Sequence, residues 1–293
     1  MLQTKIIVNQ MKRHGRHFGM DNLGEAIQAT FSKHFIDVGT CPQCGARLYV
    51  PKPRPDIGGA CPTCGYIDSN KHVVRTDEDW TLEAHKNDQI SYFNSNSIIP
   101  GLKIMSNKFE TMKMTPELND VVKTAKDIAV RMAKPKHKPI HSLFTGSSGK
   151  GKTHTAISIV NEVWRLTNYQ HKILFIDYPM FVSMQQQAIN DKDAAKFINK
   201  VMYEIRDEKG KGADCVVIDD LGTEPQMAND WNSSKFNEIM RAREDKDIII
   251  TTNLAPENIA DKYNEQTMSR LRKFAKGNFI NFKENIPDYR RAM

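Results

Sequence analysis

The stretch Ile140-His141-Ser142-Leu143-Phe144-Thr145-Gly146-Ser147-Ser148-Gly149-Lys150-Gly151-Lys152-Thr153 decides the fold, because an apolar run stops where a full GxxxxGK[ST] loop begins. Gly146, Gly149 and Gly151 permit backbone conformations closed to residues with a Cβ, so successive N–H groups can converge on phosphate oxygens. Lys152 is then expected to reach the β- and γ-phosphates, and the Thr153 hydroxyl to sit on Mg²⁺. A helical pattern from Thr155 to Leu166 follows, aiming its positive dipole end at the same anion. Gly146, Ser147, Ser148, Gly149, Lys150, Gly151, Lys152, Thr153 and His154 are therefore the expected contacts of ATP or ADP. A chance glycine-rich turn is the plain alternative, and the strand before and helix after count against it.

A bound triphosphate and its metal call for an acid from a second strand, and Cys215-Val216-Val217-Ile218-Asp219-Asp220 supplies it. Four apolar residues in succession suit a strand covered on both faces, and acids at its carboxyl tip meet the loop where α/β sheets bind ligands. Asp219 is expected to hold Mg²⁺ through water, and Asp220 to act as a base or to position water. A strand merely leaving the core would read the same way on its own. A third run, Ile248 to Thr252, ends in Asn253, which would orient the attacking water or sense the γ-phosphate. An Asn that only caps a strand before Pro256 is the competing reading.

Working outward, strand and helix patterns alternate from Lys108 onward. Helices are expected at Pro116–Met132, Asp193–Asp207, Asn232–Arg243 and Pro256–Arg272, with further strands at Lys172–Asp177 and Asn278–Lys283. This alternation predicts an α/β fold, a five-stranded parallel sheet with helices on both faces. Residues 1 to about 35 carry helical spacing, with Ile27, Phe31 and Phe35 on one face and Lys12, Arg13 and Arg16 as basic groups. Such a helix would either dock a partner or pack on the segment after it. Between residues 76 and 107 the chain turns acidic, then polar through Asn94-Ser95-Asn96-Ser97, before Pro100-Gly101, which reads as a linker. The expected division is thus 1–75, a linker over 76–107, and 108–293.

The 293 residues suffice for about two domains. A net charge of +7 permits nucleic-acid contact without requiring it. No stretch approaches a membrane span and Met1 to Met11 lacks a signal-peptide core, so a cytoplasmic protein with no membrane partner is expected. Four of the five cysteines form Cys41-x2-Cys44 and Cys61-x2-Cys64, each pair followed by glycine, at Gly45 and Gly65. In a reducing compartment that spacing predicts a closed, structural four-thiolate Zn²⁺ site, with paired redox CxxC motifs as the alternative. Cys215 is expected to be a small buried strand residue.

With these residues assembled, residues 101–293 resemble the AAA+ ATPases of the DnaC/DnaI-type replicative helicase loader family, bacterial or phage. The resemblance rests on Lys108-Phe109-Glu110, the P-loop, Ile218-Asp219-Asp220-Leu221-Gly222, Thr252-Asn253-Leu254, Ser269-Arg270-Leu271 and Asp288-Tyr289-Arg290. It implies an AAA+ P-loop domain preceded by a small zinc-binding helical or ribbon domain that grips the helicase. By position it makes Arg270 the arginine finger reaching a neighbouring subunit's nucleotide, with Arg272 its nearest rival, and Arg290 the sensor-2 arginine. A surface salt bridge is the bland reading of either. It further implies a hexameric DnaB-type helicase as partner, self-assembly through the AAA+ domain, weak ATPase activity stimulated by single-stranded DNA, and DNA contact on the assembly's central face. Lys196, Lys200, Tyr203 and Arg206 are the candidates for that contact, although a solvated helix face explains them equally. Asp220 replaces the glutamate of many AAA+ enzymes, which implies slow turnover. Rival readings are an IstB-like transposition helper, which usually lacks a cysteine module, a ClpX-like unfoldase, which expects a helical lid after the last strand, and a nucleotide-gated adaptor that does not hydrolyse.

Overall fold

The structure, a computed structural model, describes residues 33–52, 58–68, 77–207, 210–225 and 231–289. Its contacts divide the chain into two units, Met1–Thr76 and Asp77–Met293. The first holds an antiparallel hairpin, β1 (Phe35–Thr40) and β2 (Arg47–Pro51). Phe35, expected on a helix, opens β1; Ile27, Phe31 and the basic groups before them lie outside the described residues.

The second unit runs α1 (Asp77–Asn96), α2 (Asn119–Met132), β3 (His141–Thr145), α3 (Lys152–Leu166), β4 (Ile173–Asp177), α4 (Tyr178–Gln187), α5 (Lys192–Arg206), β5 (Cys215–Leu221), α6 (Trp231–Ala242), β6 (Asp247–Thr252), α7 (Pro256–Tyr263), α8 (Glu265–Lys273) and β7 (Phe279–Asn281). The strands form a parallel sheet in the order β4-β5-β6-β3-β7, so β5 and β6 intervene between the consecutive strands β3 and β4. That jump leaves a crevice at the carboxyl edge beside the loop after β3.

Strict alternation along the strands builds a core on each face. Phe144, Phe175, Val217, Ile249 and Ile280 pack with α1, α2 and α3 on one side. Leu143, Leu174, Ile176, Val216, Ile218, Ile248 and Ile250 pack with α4 to α8 on the other. Both faces being covered explains why β4, β5 and β6 read as unbroken apolar runs. Cys215 is buried at the start of β5.

Three expectations change. Residues 77–96 are not linker but a 20-residue helix anchored by Phe93, which is fully buried and meets the Trp164 ring edge-on at 5.6 Å. Ile98 then bridges β4, its amide donating to the Phe175 carbonyl. The helix expected over Pro256–Arg272 breaks at Asn264 (φ 68°), whose Oδ1 accepts from the Thr267 amide at 3.0 Å and so caps a new helix. A further helix, α4, follows Asp177, whose carboxylate caps it by accepting the Met180 amide at 2.9 Å.

Candidate functional site

The loop between β3 and α3 turns on three glycines with positive φ: 135° at Gly146, 79° at Gly149 and 95° at Gly151. At Gly146 a Cβ would also strike the Phe282 carbonyl oxygen, main chain that a rotamer change cannot clear, which leaves no room for alanine. Behind the loop opens a cleft of about 450 Å³ lined by Ser148, Gly149, Gly151, Lys152, Thr153, His154 and Asp220, with Thr111, Met112, Lys113 and Tyr289 opposite. That volume suits a small organic ligand.

Lys152 and Asn253 converge: the ammonium donates to Asn253 Oδ1 at 2.7 Å and to the carbonyls of Gly146 and Ser147 at 2.7 and 2.8 Å. Asn253 reaches it because β6 sits directly beside β3. Thr153 and Asp219 also converge, the hydroxyl donating to both carboxylate oxygens at 2.9 and 3.0 Å. Asp219 is buried and accepts a third bond from Thr251 Oγ1 at 2.6 Å. Burial pushes its carboxyl up to about 7 against that hydrogen bond, and the neighbouring charge of Asp220 pushes the same way. A carboxylate held in such a place favours a cation.

Asp220 occupies the bulge where the β5–β6 register slips between Ile218 and Leu221. Its φ of 54° and the bond from its amide to Thr251 Oγ1 at 3.0 Å turn it off the strand to the cleft wall. Sequence reading missed Asp177, at the tip of β4. Burial raises its carboxyl above the usual range and the Asp220 charge adds to the rise, so three acids gather at this edge. The signal was available, since Asp followed by Pro at Tyr178-Pro179 marks a helix start.

Not every loop residue faces the cleft with its side chain. Lys150 is nearly buried and donates to the carbonyls of Glu284 at 3.0 Å and Ile286 at 2.5 Å. Ser147 donates to the Glu284 carboxylate at 2.9 Å, and the Tyr289 amide to the Gly149 carbonyl at 3.0 Å. Residues 284–289 thus form a strap along the loop's outer side, and Tyr289 crosses the cleft to donate to the Lys113 carbonyl at 3.0 Å. His154 Nε2 donates to the Lys108 carbonyl at 2.9 Å, joining α3 to the Lys108–Thr111 turn.

Arg270 lies on α8, outside its own chain's cleft, bound to Asn237 Oδ1 at 2.9 Å and ion-paired with Glu244 at 3.3 Å. Arg272 pairs with Glu265 at 2.5 Å. Arg290 lies outside the described residues. On α5, Lys196 pairs with Asp193 at 3.2 Å, Lys200 donates to the Ser95 carbonyl at 3.1 Å and Arg206 pairs with Glu238 at 2.6 Å, while Tyr203 is exposed.

In the other unit the Sγ atoms of Cys41, Cys44, Cys61 and Cys64 all lie within 4.8 Å of one another, with Cys41–Cys64 and Cys44–Cys61 at 3.5 Å. Tetrahedral Zn²⁺ with thiolate bonds of about 2.3 Å sets its sulfurs ~3.8 Å apart, so the cluster fits that ion. Two matching knuckles build it: the Gly45 amide returns to the Cys41 carbonyl at 2.9 Å and the Gly65 amide to the Cys61 carbonyl at 3.0 Å. The φ values of 75° and 76° there require glycine. Desolvation pushes the Cys61 thiol up, but the amides of Cys64 and Thr63 outweigh it and bring it down to about 6. Among the described residues no helix is long and apolar enough to cross a membrane.

Among solved structures the chain is similar to DnaI, at 18% identity and TM-score 0.50, over 68% of this chain and 98% of that one. It is similar to a DnaC helicase loader at 19% identity and TM-score 0.49, over 62% and 100%. Domain III of the Thermotoga maritima replication initiation protein DnaA gives 18% identity and TM-score 0.45, over 60% and 67%. The DnaI likeness speaks to the fold alone. Curated protein sequences show no match to the chain. The family model for the bacterial DnaA ATPase domain matches residues 103–277, more than half of the chain, across the loop, both acids and Asn253, and the protein belongs to that family.

Proposed function

We propose that this protein is an ATP-dependent DNA-replication factor that places a hexameric DnaB-type helicase on single-stranded DNA. The observation that carries the reading is the convergence of Lys152, Thr153, Asp219 and Asn253 at one sheet edge in a member of an ATPase-domain family. Lys152 would leave the Gly146 and Ser147 carbonyls for the β- and γ-phosphates of ATP, with the loop amides and the α3 dipole holding the same anion. Thr153 and Asp219 would hold Mg²⁺, which when bound neutralises charge on the phosphate oxygens. Asp220 would position the attacking water, and Asn253 would report the γ-phosphate to β6. Arg270 would exchange its Glu244 pair for a neighbouring subunit's γ-phosphate, so that ATP state governs self-assembly; Arg290 would act on its own chain's nucleotide. Cys41, Cys44, Cys61 and Cys64 would hold Zn²⁺, which supplies no chemistry but cross-links the unit that meets the helicase. Contact with single-stranded DNA through the α5 residues Lys196, Lys200, Tyr203 and Arg206 belongs to the same reading.

The test is helicase loading on a single-stranded circle by the full chain, with ATP hydrolysis followed alongside. Lys152→Ala should lose nucleotide affinity by about a hundredfold and abolish loading. Undiminished loading by that variant overturns the proposal. Hydrolysis that single-stranded DNA never stimulates would favour the nucleotide-gated adaptor instead.

A further inference from the structure

At the opposite, amino edge of the sheet, two loops stand side by side because the strands they feed are neighbours. One joins α2 to β3 and carries Lys134, Lys136 and Lys138; the other joins α8 to β7 and carries Lys276. Arg131 Nη2 donates to Asn278 Oδ1 at 2.6 Å and the His141 amide to the Phe274 carbonyl at 3.3 Å, which locks the loops together.

The acids nearby are already neutralised. Asp247 pairs with His137 at 2.7 Å, Asp127 with Arg131 at 2.8 Å, and Glu244 and Asp245 with Lys273 at 3.1 and 3.0 Å. Hydrogen bonding to Asp247 raises the His137 pKa, and the ring is committed to that acid, so the lysines alone carry the uncompensated charge of these loops. Lys134, Lys136, Lys138 and Lys276 are exposed, and no carboxylate among the described residues pairs with them. Beside them Phe279, the first residue of the edge strand β7, is 46% exposed. Lysines without counter-ions next to an open aromatic face are the combination that tracks a phosphate backbone and stacks an unpaired base.

We propose that this edge binds single-stranded DNA, with Lys134, Lys136, Lys138 and Lys276 on phosphates and Phe279 stacking a base. The site is separate from the α5 face and from the nucleotide cleft, and it rests on the proposed function only in the choice of polymer.

The experiment is fluorescence anisotropy of a labelled oligo-dT with the full chain across a salt series. Changing all four lysines to glutamate should weaken binding at least tenfold near 0.1 M salt and flatten the log–log salt slope by about 3, at ~0.7 per phosphate contact. Phe279→Ala should cost about tenfold with little change of slope. A charge-matched variant at the exposed Lys52, Lys86, Lys103 and Lys123 should bind as the parent does, and thermal melts should show all variants folded. Equal losses in both lysine variants, or no loss in the first, overturn the inference. Failure of the parent chain to bind oligo-dT at all overturns it too, and uniquely takes the loader reading with it.

Discussion

The two units of this chain reach stability by different routes. Among the described residues of the cysteine unit the buried cluster is Cys41, Leu48 and Cys61, with Ala46 and Tyr66 packed against it, so two of the four thiol positions are also core. The ATPase unit buries two separate clusters, one on each face of a five-stranded sheet, and can spare buried polar groups for chemistry. An element with little apolar surface to hide is held by cross-links, and one with ample core tolerates strain at a functional edge.

The contrast breaks first at the cysteines. Cys61→Ser, or a strong chelator, should unfold the hairpin unit, because binding free energies of structural zinc sites run to about 10 kcal/mol or more. Amide exchange should then accelerate throughout β1 and β2 while the protection of β3 to β7 stays unchanged. Loss of protection in both units would show that the ATPase unit leans on the metal as well.

The reciprocal change is Phe93→Ala. Its ring sits between Trp164 and Phe175, at centroid distances of 5.6 and 6.4 Å, and the cavity left behind should cost about 3–5 kcal/mol. Urea unfolding of the second unit measures this, and zinc content should not move. A cost under about 1 kcal/mol would mean that α1 is an appendage after all.

The reason α1 escaped sequence reading lies in its surface. Asp, Glu, Asn and Ser dominate residues 77–97, and the anchor at Phe93 is too sparse to set a period. Strands β5 and β6 were legible because burial on both faces leaves no alternation to interpret, only apolar runs with a polar tip, whereas β3, with His141 and Ser142 buried in it, was legible from the loop that follows it. Motif spacing singled out Lys152, Thr153, Asp219 and Asn253, but it announced neither the bond from Lys152 to Asn253 nor that from Thr153 to Asp219. The inward turn of Lys150 was not legible either, since its partners at Glu284 and Ile286 lie more than 130 residues away and are carbonyls, which no side-chain pattern announces. Asn264 was readable in principle as a cap, but the apolar period continues across it through Tyr263 and Met268.

That strap yields a smaller effect. Lys150→Met keeps the stem and removes two hydrogen bonds to main-chain carbonyls, which should cost about 1–3 kcal/mol and free residues 284–289 from the loop. Limited proteolysis near Glu284 would report the release, and nucleotide binding should weaken less than in Lys152→Ala. If the strap stays protected, the Tyr289–Gly149 and Ser147–Glu284 bonds hold it without Lys150.

The finest test concerns the strain the second unit tolerates. Asp219 titrates near 7 in the folded chain, far above an ordinary aspartate, chiefly because it is buried. The folded state therefore binds a proton that the unfolded state has already released, and stability from this group is greatest below about pH 4, declines as pH rises, and is gone above about pH 7. Asp219→Asn removes that titration while keeping an oxygen for Thr251. Relative to the parent, the variant should gain stability from about pH 4 to about pH 7 and level off on the order of 1–3 kcal/mol at about pH 8. Magnesium should show the same group from the other side: its apparent affinity in the presence of nucleotide should rise up to about tenfold per pH unit below about 7 and flatten above it, because the metal displaces one proton. In the Asp219→Asn variant both trends vanish together. A parent protein whose thermal stability and Mg²⁺ affinity are both flat between about pH 5 and about pH 8 would place the Asp219 proton elsewhere, and with it the claim that this edge stores energy the core supplies.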